Sequence, residues 1–222
     1  VLSTISPNSY GISTKDETFE ESLKKADYLV LDGVYFSLAS ILLNRQNIKR
    51  NQGPDVFRYF MERMNRERGK VFFMGSTEEV LEKMKLQAAS EYPDLKVASH
   101  SPPYKPEFTK EDNQVIIDKI NAFRPDIVFV GMTCPKQEKW SYGIRKELHT
   151  KLICSIGAVF DWYAGDSKEI KPIWWKLRLA WLKRTIDRPE NLKTYPNIFI
   201  FFWHLMLVFH RLKKIPNEKQ HD

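Results

Sequence analysis

Asp126-Ile127-Val128-Phe129-Val130, closed by Gly131, is the stretch that decides the fold. A short apolar run rich in β-branched side chains and bounded by turn formers reads as a strand. Runs of the same kind recur at Tyr28 to Leu31, Val71 to Met74 and Leu152 to Ile156, and the chain reads as strand from Val1. Helical stretches separate them, which is the βαβ rhythm of a mostly parallel sheet. The expected fold class is α/β, a Rossmann-like mostly parallel sheet with helices on both faces. Thr14 with Glu17, Ser76 with Glu79, and Thr109 with Asp112 have the spacing of capping boxes and predict helix starts.

Ligands of such sheets bind beyond the carboxyl ends of the strands. Thr4, Asp32-Gly33, Gly75-Ser76, Gly131 and Gly157 all fall there, so they are expected to line one edge. Pro102-Pro103-Tyr104-Lys105-Pro106 reads as a stiff surface loop beside it.

A chain of 222 residues, 42% hydrophobic and 28% charged, can bury one α/β core with some appended structure and lacks the composition of a disordered protein. Its two cysteines, Cys134 and Cys154, cannot form a disulfide framework, and no spaced Cys/His cluster offers a zinc site. A reducing cytoplasm fits this cysteine usage. No charged leader followed by an apolar stretch opens the sequence, so no secretory signal is expected.

The net charge of +7 is concentrated at one end, because eleven Lys/Arg face three Asp/Glu between Lys168 and Lys214. A neutral body with a cationic tail points to an anionic partner of the tail, phospholipid or diphosphate, and away from nucleic acid. Ile173, Trp174, Leu177 and Trp181 fall at helical spacing with Lys176, Arg178, Lys183 and Arg184 off that stripe, a basic amphipathic helix. Ile198 to Phe209 is apolar except for His204. Twelve residues of helix cover only about 18 Å against a hydrocarbon core of about 30 Å, so this run is expected to lie in the membrane interface. Trp174, Trp175, Trp181 and Trp203 beside basic residues suit the headgroup layer, the alternative being packing on the domain or on another subunit. The division expected is residues 1–167 as the α/β catalytic domain and 168–222 as a C-terminal helical, basic-aromatic appendage.

Gly131-Met132-Thr133-Cys134-Pro135-Lys136-Gln137-Glu138-Lys139-Trp140, with Gly157-Ala158-Val159-Phe160-Asp161-Trp162-Tyr163-Ala164-Gly165, resembles the WecG/TagA/CpsF family of bacterial glycosyltransferases. Further matches are Thr4 with Pro7 and Ser9, Asp32-Gly33, Arg50 with Gly53 and Asp55, Phe72 to Gly75, and Trp181 with Arg184 and Pro189, so the resemblance runs from Thr4 to about Tyr195. It implies an inverting transfer from a UDP-sugar, often of the N-acetylmannosamine type, to a polyprenyl-diphosphate-linked sugar in teichoic acid or capsule-like polysaccharide synthesis. The implied place is the cytoplasmic face of the cell membrane, peripherally attached.

The resemblance implies Asp32 as the base, a role a carboxylate at a strand end can fill; taken alone, its spacing favours an ordinary Asp-Gly turn. Thr4 and Gln137 are implied to hold sugar or diphosphate oxygens, against ordinary capping or surface roles. Gly75, with its backbone N–H groups, is a candidate for diphosphate contact or else a plain tight turn. Asp161 resembles a uracil-contacting residue, the alternative being a cap. Pro135 to Glu138 is expected to form the first turn of a helix that presents Gln137 inward. Gly131, Lys136 and Tyr104 complete the candidate substrate-binding set.

No Asp-x-Asp pair occurs, so no metal and no cofactor are expected, and Arg50 and Arg184 are candidates to meet the diphosphate charge. Ala180, Asn191, Thr194 and Ser6 depart from the family pattern. The first three motivate a competing reading, a catalytically degenerate membrane-associated scaffold of a polysaccharide assembly complex. An exposed apolar tail could also bury itself in a homo-oligomer.

Overall fold

A computed structural model of the chain describes residues 1–32, 34–46, 48, 53–165, 173–174, 183, 185–186 and 189–213. In chain order the elements are β1 (Leu2–Ile5), α1 (Pro7–Ser13), α2 (Glu17–Lys24), β2 (Tyr28–Leu31), α3 (Val34–Asn44), α4 (Gly53–Arg66) and β3 (Lys70–Gly75). There follow α5 (Glu78–Glu91), β4 (Lys96–His100), α6 (Lys110–Phe123), β5 (Ile127–Gly131), α7 (Lys136–Ile144), β6 (Leu152–Ser155), α8 (Val159–Tyr163), a 3-10 turn (Pro189–Thr194) and α9 (Tyr195–Lys213). The strands form one six-stranded sheet in the order β2-β1-β6-β5-β3-β4. The described registers, β1 with β6, β6 with β5, β5 with β3 and β3 with β4, are all parallel.

The alternation of side chains along β3 and β5 sorts the core into two layers. Val71, Phe73, Ile127 and Phe129 pack with Phe57 and Met61 of α4, Leu81, Met84 and Ala88 of α5, and Phe160 and Tyr163 of α8. Phe72, Met74, Val128 and Val130 turn the other way, onto Ile116, Ile117 and Ile120 of α6 and Trp140 and Ile144 of α7. Both faces of these strands are covered, as the unbroken apolar runs require.

β4 escaped the sequence reading. Lys96-Val97-Ala98-Ser99-His100 has no apolar run because it is the edge strand, with one neighbour and partial exposure. Of the three expected capping boxes, Thr109 with Asp112 forms, each side chain serving the other's backbone N–H. The other two are corrected. Asp16 caps α2 by accepting from the Phe19 N–H, while Thr14 closes α1. Thr77 caps α5 by accepting from the Val80 N–H, because Ser76, at φ +58°, is still turning.

The chain divides into two compact units: Val1–Thr4, Asp16–Val30 and Asn51–Glu169 make the first, and Ile5–Lys15, Leu31–Arg50 and Ile170–Asp222 the second. In the second, α1 and α3 pack on α9 around Ala39, Phe201 and Leu205. α9 is longer than the twelve-residue apolar run suggested. Its 19 residues span about 28 Å, and the stretch Asn191–Leu212 is long and apolar enough to cross a membrane by length and composition.

The aromatic centre of the first unit sets its stability: the Phe57 ring is fully buried, with centroids 4.9 Å from Phe129 and 4.8 Å from Tyr163. Phe57→Ala is expected to cost about 3–5 kcal/mol in denaturant unfolding, since the rigid strands on one side cannot collapse into the hole.

Candidate functional site

In the first unit, the helices that follow neighbouring strands leave to opposite faces. After β5 the chain enters α7, in the layer with Trp140; after β3 and β6 it enters α5 and α8, in the layer with Phe57. Such a reversal marks where open α/β sheets hold ligands, past the carboxyl ends of the strands, here beside β5.

Past these strand ends the chain makes unusually close contacts. Gly75 and Gly131 face each other in register at the ends of β3 and β5. The Ser76 N–H donates to the Gly131 carbonyl at 3.0 Å, and Gly75 turns at φ +111°, where a Cβ would lie 2.4 Å from that same oxygen. Only glycine fits there. A Cβ on Gly157 would lie 2.4 Å from the Met132 carbonyl oxygen, and one on Gly131 would lie 2.3 Å from the Phe160 ring. The two motif segments are thus packed against each other with no side-chain spacer. α5 begins at Glu78, three residues past Gly75, so Gly75 ends a strand and does not open the helix directly.

α7 starts after a cis Cys134-Pro135 peptide and buries Gln137, Glu138, Trp140, Ser141 and Ile144. The i, i+3, i+4, i+7 spacing of Gln137, Trp140, Ser141 and Ile144 explains why Gln137 points inward, as expected. Its carboxamide is occupied at both ends: Oε1 accepts from the Gly157 N–H at 2.9 Å, and Nε2 donates to Glu138 Oε1 at 2.8 Å. Glu138 was quoted within the motif without a role. It is 2% exposed, and its Oε2 is one of two buried side-chain oxygens with no hydrogen-bond partner among the described residues. Burial pushes its carboxyl up to about 7, against the Gln137 bond and a bond from Cys134, which pull the other way. The Cys134 thiol is raised in turn, by burial first and by Glu138 next.

The remaining first-unit candidates are spread along the same edge. Thr4 lies inside β1, half-buried, and not after it. Asp161 is in the first turn of α8, four residues beyond Gly157. Lys136 reaches away from Gln137 to the neighbouring loop, donating to the Lys105 carbonyl at 2.6 Å with Nζ 3.6 Å over the Phe108 ring, and burial lowers its pKa. Tyr104 is fully exposed on that loop. A depression of about 560 Å³ opens beside it, lined by His100, Ser101, Pro102, Pro103, Glu111, Asp112 and Val115. A second, of about 200 Å³, lies among α4, α5 and α8; neither is lined by Thr4, Gln137 or Asp161. Among the described residues no three His, Cys, Asp or Glu side chains gather as metal ligands.

Asp32 belongs to the second unit. It follows β2 directly, is half-buried, and its backbone N–H donates to the Ile5 carbonyl at 2.8 Å. Ser6 caps α1 through a reciprocal pair with Ser9, a task its short polar side chain shares with asparagine. His204, the polar exception in the apolar run, meets the Tyr10 hydroxyl at 3.0 Å through Nδ1. That bond and the Tyr10, Phe36 and Tyr35 rings against Phe201 and Phe202 fix which side of α9 faces inward. Phe199, Trp203, Met206 and Leu207 are left exposed at helical spacing, and so are Leu38, Ile41 and Leu42 on α3, a stripe the sequence reading did not single out. Arg50, Arg184 and Gly33 lie outside the described residues, as does most of the expected basic amphipathic helix.

A parallel α/β sheet with helices leaving to both faces is the layout of proteins that bind ligands past the carboxyl ends of their strands. The chain belongs to the glycosyl transferase WecG/TagA/CpsF family, whose profile matches residues 1–215, and it is a glycosyltransferase. It is 28% identical over 194 residues, 87% of this chain and 73% of the relative, to an N-acetylglucosaminyldiphosphoundecaprenol N-acetyl-beta-D-mannosaminyltransferase of Bacillus subtilis (strain 168). It is 26% identical over 211 residues, 95% of this chain and 81% of the relative, to the protein of the same description in Staphylococcus aureus (strain MRSA252).

Glu138 gives a test of the site's electrostatics. Its folded pKa of about 7 lies above the ordinary 4.5, so the folded state keeps a proton that the unfolded chain releases, and stability falls as pH rises through that window. Urea unfolding at pH 5.5 and pH 8 should show a loss on the order of 2 kcal/mol from this group, and Glu138→Gln should remove that part of the pH dependence.

Proposed function

We propose that this chain transfers an N-acetylmannosamine-type hexose from a UDP-sugar, with inversion and without a metal ion, to a sugar carried on a polyprenyl diphosphate. Both relatives are described as N-acetyl-beta-D-mannosaminyltransferases acting on N-acetylglucosaminyldiphosphoundecaprenol, which supports the sugar and the class of acceptor. The observation that carries the reading is the bond from the Gly157 N–H to Gln137, which ties the two family segments into one structure at the carboxyl edge of the sheet.

In this reading Asp32 takes the proton of the acceptor hydroxyl as its oxygen attacks the anomeric carbon from the face opposite the nucleotide. The bond from that carbon to the diphosphate oxygen breaks, and UDP departs with the electron pair. Thr4 and Gln137 hold sugar or diphosphate oxygens, Gly75 and Gly131 let backbone groups approach, and Asp161 contacts the uracil. Lys136 and Tyr104 flank the donor from the loop side. Arg50 and Arg184 neutralise the charge that grows on the leaving group, in place of a cation held by an Asp-x-Asp pair.

The C-terminal appendage, from residue 168 onward, brings the site to the cytoplasmic face of the membrane, where a lipid-linked acceptor must be met. Its cationic surplus attracts anionic headgroups, and the exposed apolar side chains of α9 and α3 enter the interface. Without a bilayer the same surface can bury itself against a second copy.

Asp32→Asn should lower turnover by about 10²–10⁴-fold, the range for loss of a general base, with UDP affinity by calorimetry within a few-fold of wild type. Transfer should persist in excess chelator. Undiminished turnover of the variant would remove Asp32 from its role, and failure of the wild-type protein to bind UDP would favour the scaffold reading, which Ala180, Asn191 and Thr194 motivate. Phe199→Glu with Trp203→Glu should release the protein from sedimenting phosphatidylglycerol vesicles while UDP binding is kept.

A further inference from the structure

Gln137 is held in a way that fixes which atoms it can offer a ligand. A carboxamide can flip, exchanging its oxygen for its nitrogen at little steric cost. Here the flip is blocked on both sides. The Gly157 N–H can only donate, so it requires Oε1; the Glu138 carboxylate, when ionised, can only accept, so it requires Nε2. One Nε2 hydrogen is consumed by Glu138, and the second is left as the donor.

Glu138 is an expensive way to hold an amide. Its Oε2 is buried with no well-formed hydrogen bond, the Cys134 thiol being a weak donor to the carboxyl, and a poorly compensated buried oxygen destabilises the fold. The neighbouring positions show what ordinary packing of α7 needs: Trp140 and Ile144 fill the core, and Ser141 meets Ser155 at 3.0 Å. Leucine at position 138 would fill a comparable volume with no polar atom to satisfy. Where a side chain lowers stability and yet aligns a polar neighbour at a ligand edge, alignment is what it contributes.

We propose that Glu138 is a positioning residue for sugar transfer: it clamps the Gln137 carboxamide so that a single N–H, and never the carbonyl oxygen, is presented to an oxygen of the nucleotide-sugar. The proposal rests on the reading that Gln137 contacts the donor. It deepens that reading by assigning Gln137 the role of donor alone, suited to an oxygen that gains negative charge as the bond to the diphosphate breaks. Glu138 itself touches no substrate.

The experiment compares Glu138→Leu, Glu138→Gln, Gln137→Ala and the double variant Gln137→Ala/Glu138→Leu in the full chain. Each is assayed for transfer, for UDP affinity and for Tm. Glu138→Leu should lower kcat by about tenfold to a hundredfold, the scale of a small misplacement of a reacting-site group, with KM for the donor within about twofold and Tm equal or higher. Glu138→Gln can turn its own Oε1 toward Gln137 and should recover most of kcat. Glu138→Leu should cost nothing further once Gln137 is alanine, because the two act as one unit. Additive losses in the double variant, or a fall in Tm with kcat per folded molecule unchanged, would overturn the proposal and leave Glu138 a packing residue.

A readout independent of turnover separates this idea from the glycosyltransferase chemistry. In protein labelled with 15N at glutamine side chains, the Gln137 amide should give two well-separated proton resonances in wild type and Glu138→Gln. The pair should converge in Glu138→Leu. If wild type transfers no sugar, the functional reading fails while this spectrum still decides the clamp; if wild type transfers but the Gln137 resonances ignore position 138, the clamp fails alone.

Discussion

Everything at the carboxyl edge depends on how closely three stretches of backbone approach one another. The ends of β3 and β5 and the turn after β6 meet at Gly75, Gly131 and Gly157, each at a position where a methyl group would sit inside a neighbour's van der Waals surface. Side chains normally keep strands and helices apart and give each some independence. With the spacers removed, the starts of α7 and α8 sit close on the strand ends, the Phe160 ring of α8 lying directly over Gly131. Gln137 and Asp161 are carried by those two helices.

Much of this was legible from residue order alone. The runs at Val71 to Met74 and Asp126 to Val130 announced buried parallel strands because both faces had to be apolar, and the structure covers both. The inward aim of Gln137 was expected from a helical first turn after Pro135, and the buried face it shares with Trp140, Ser141 and Ile144 accounts for it. The glycines were visible as turn formers. What each one makes room for was not, because a steric vacancy is defined by residues distant in sequence, such as Phe160 over Gly131.

The misses have physical causes too. β4 is polar because an edge strand has fewer neighbours to satisfy, so hydrophobic patterning is weakest there. Ser76 resembled a helix cap by spacing, but the positive φ values at Gly75 and Ser76 delay the helix and hand the cap to Thr77. Glu138 was passed over because charge in a helix usually means a solvated face. Its burial comes from the way α7 packs in the fold, which no local pattern reports. The apolar stripe on α3 was hidden by its position directly after Asp32-Gly33, which drew attention to the turn.

The composition of the second compact unit bears on how the C-terminal region can be studied. That unit is assembled from three separated stretches, and α9 supplies the partners of both α1 and α3: His204 for Tyr10, Phe201 for Phe36, Phe202 for Tyr35. A truncated chain ending before Tyr195 would therefore strand two greasy amphipaths belonging to the amino-terminal quarter, inviting precipitation or chaperone capture. Loss of activity in such a fragment would report a broken mini-domain as readily as a lost anchor, which makes polar replacement of exposed side chains on intact α9 the cleaner genetic tool.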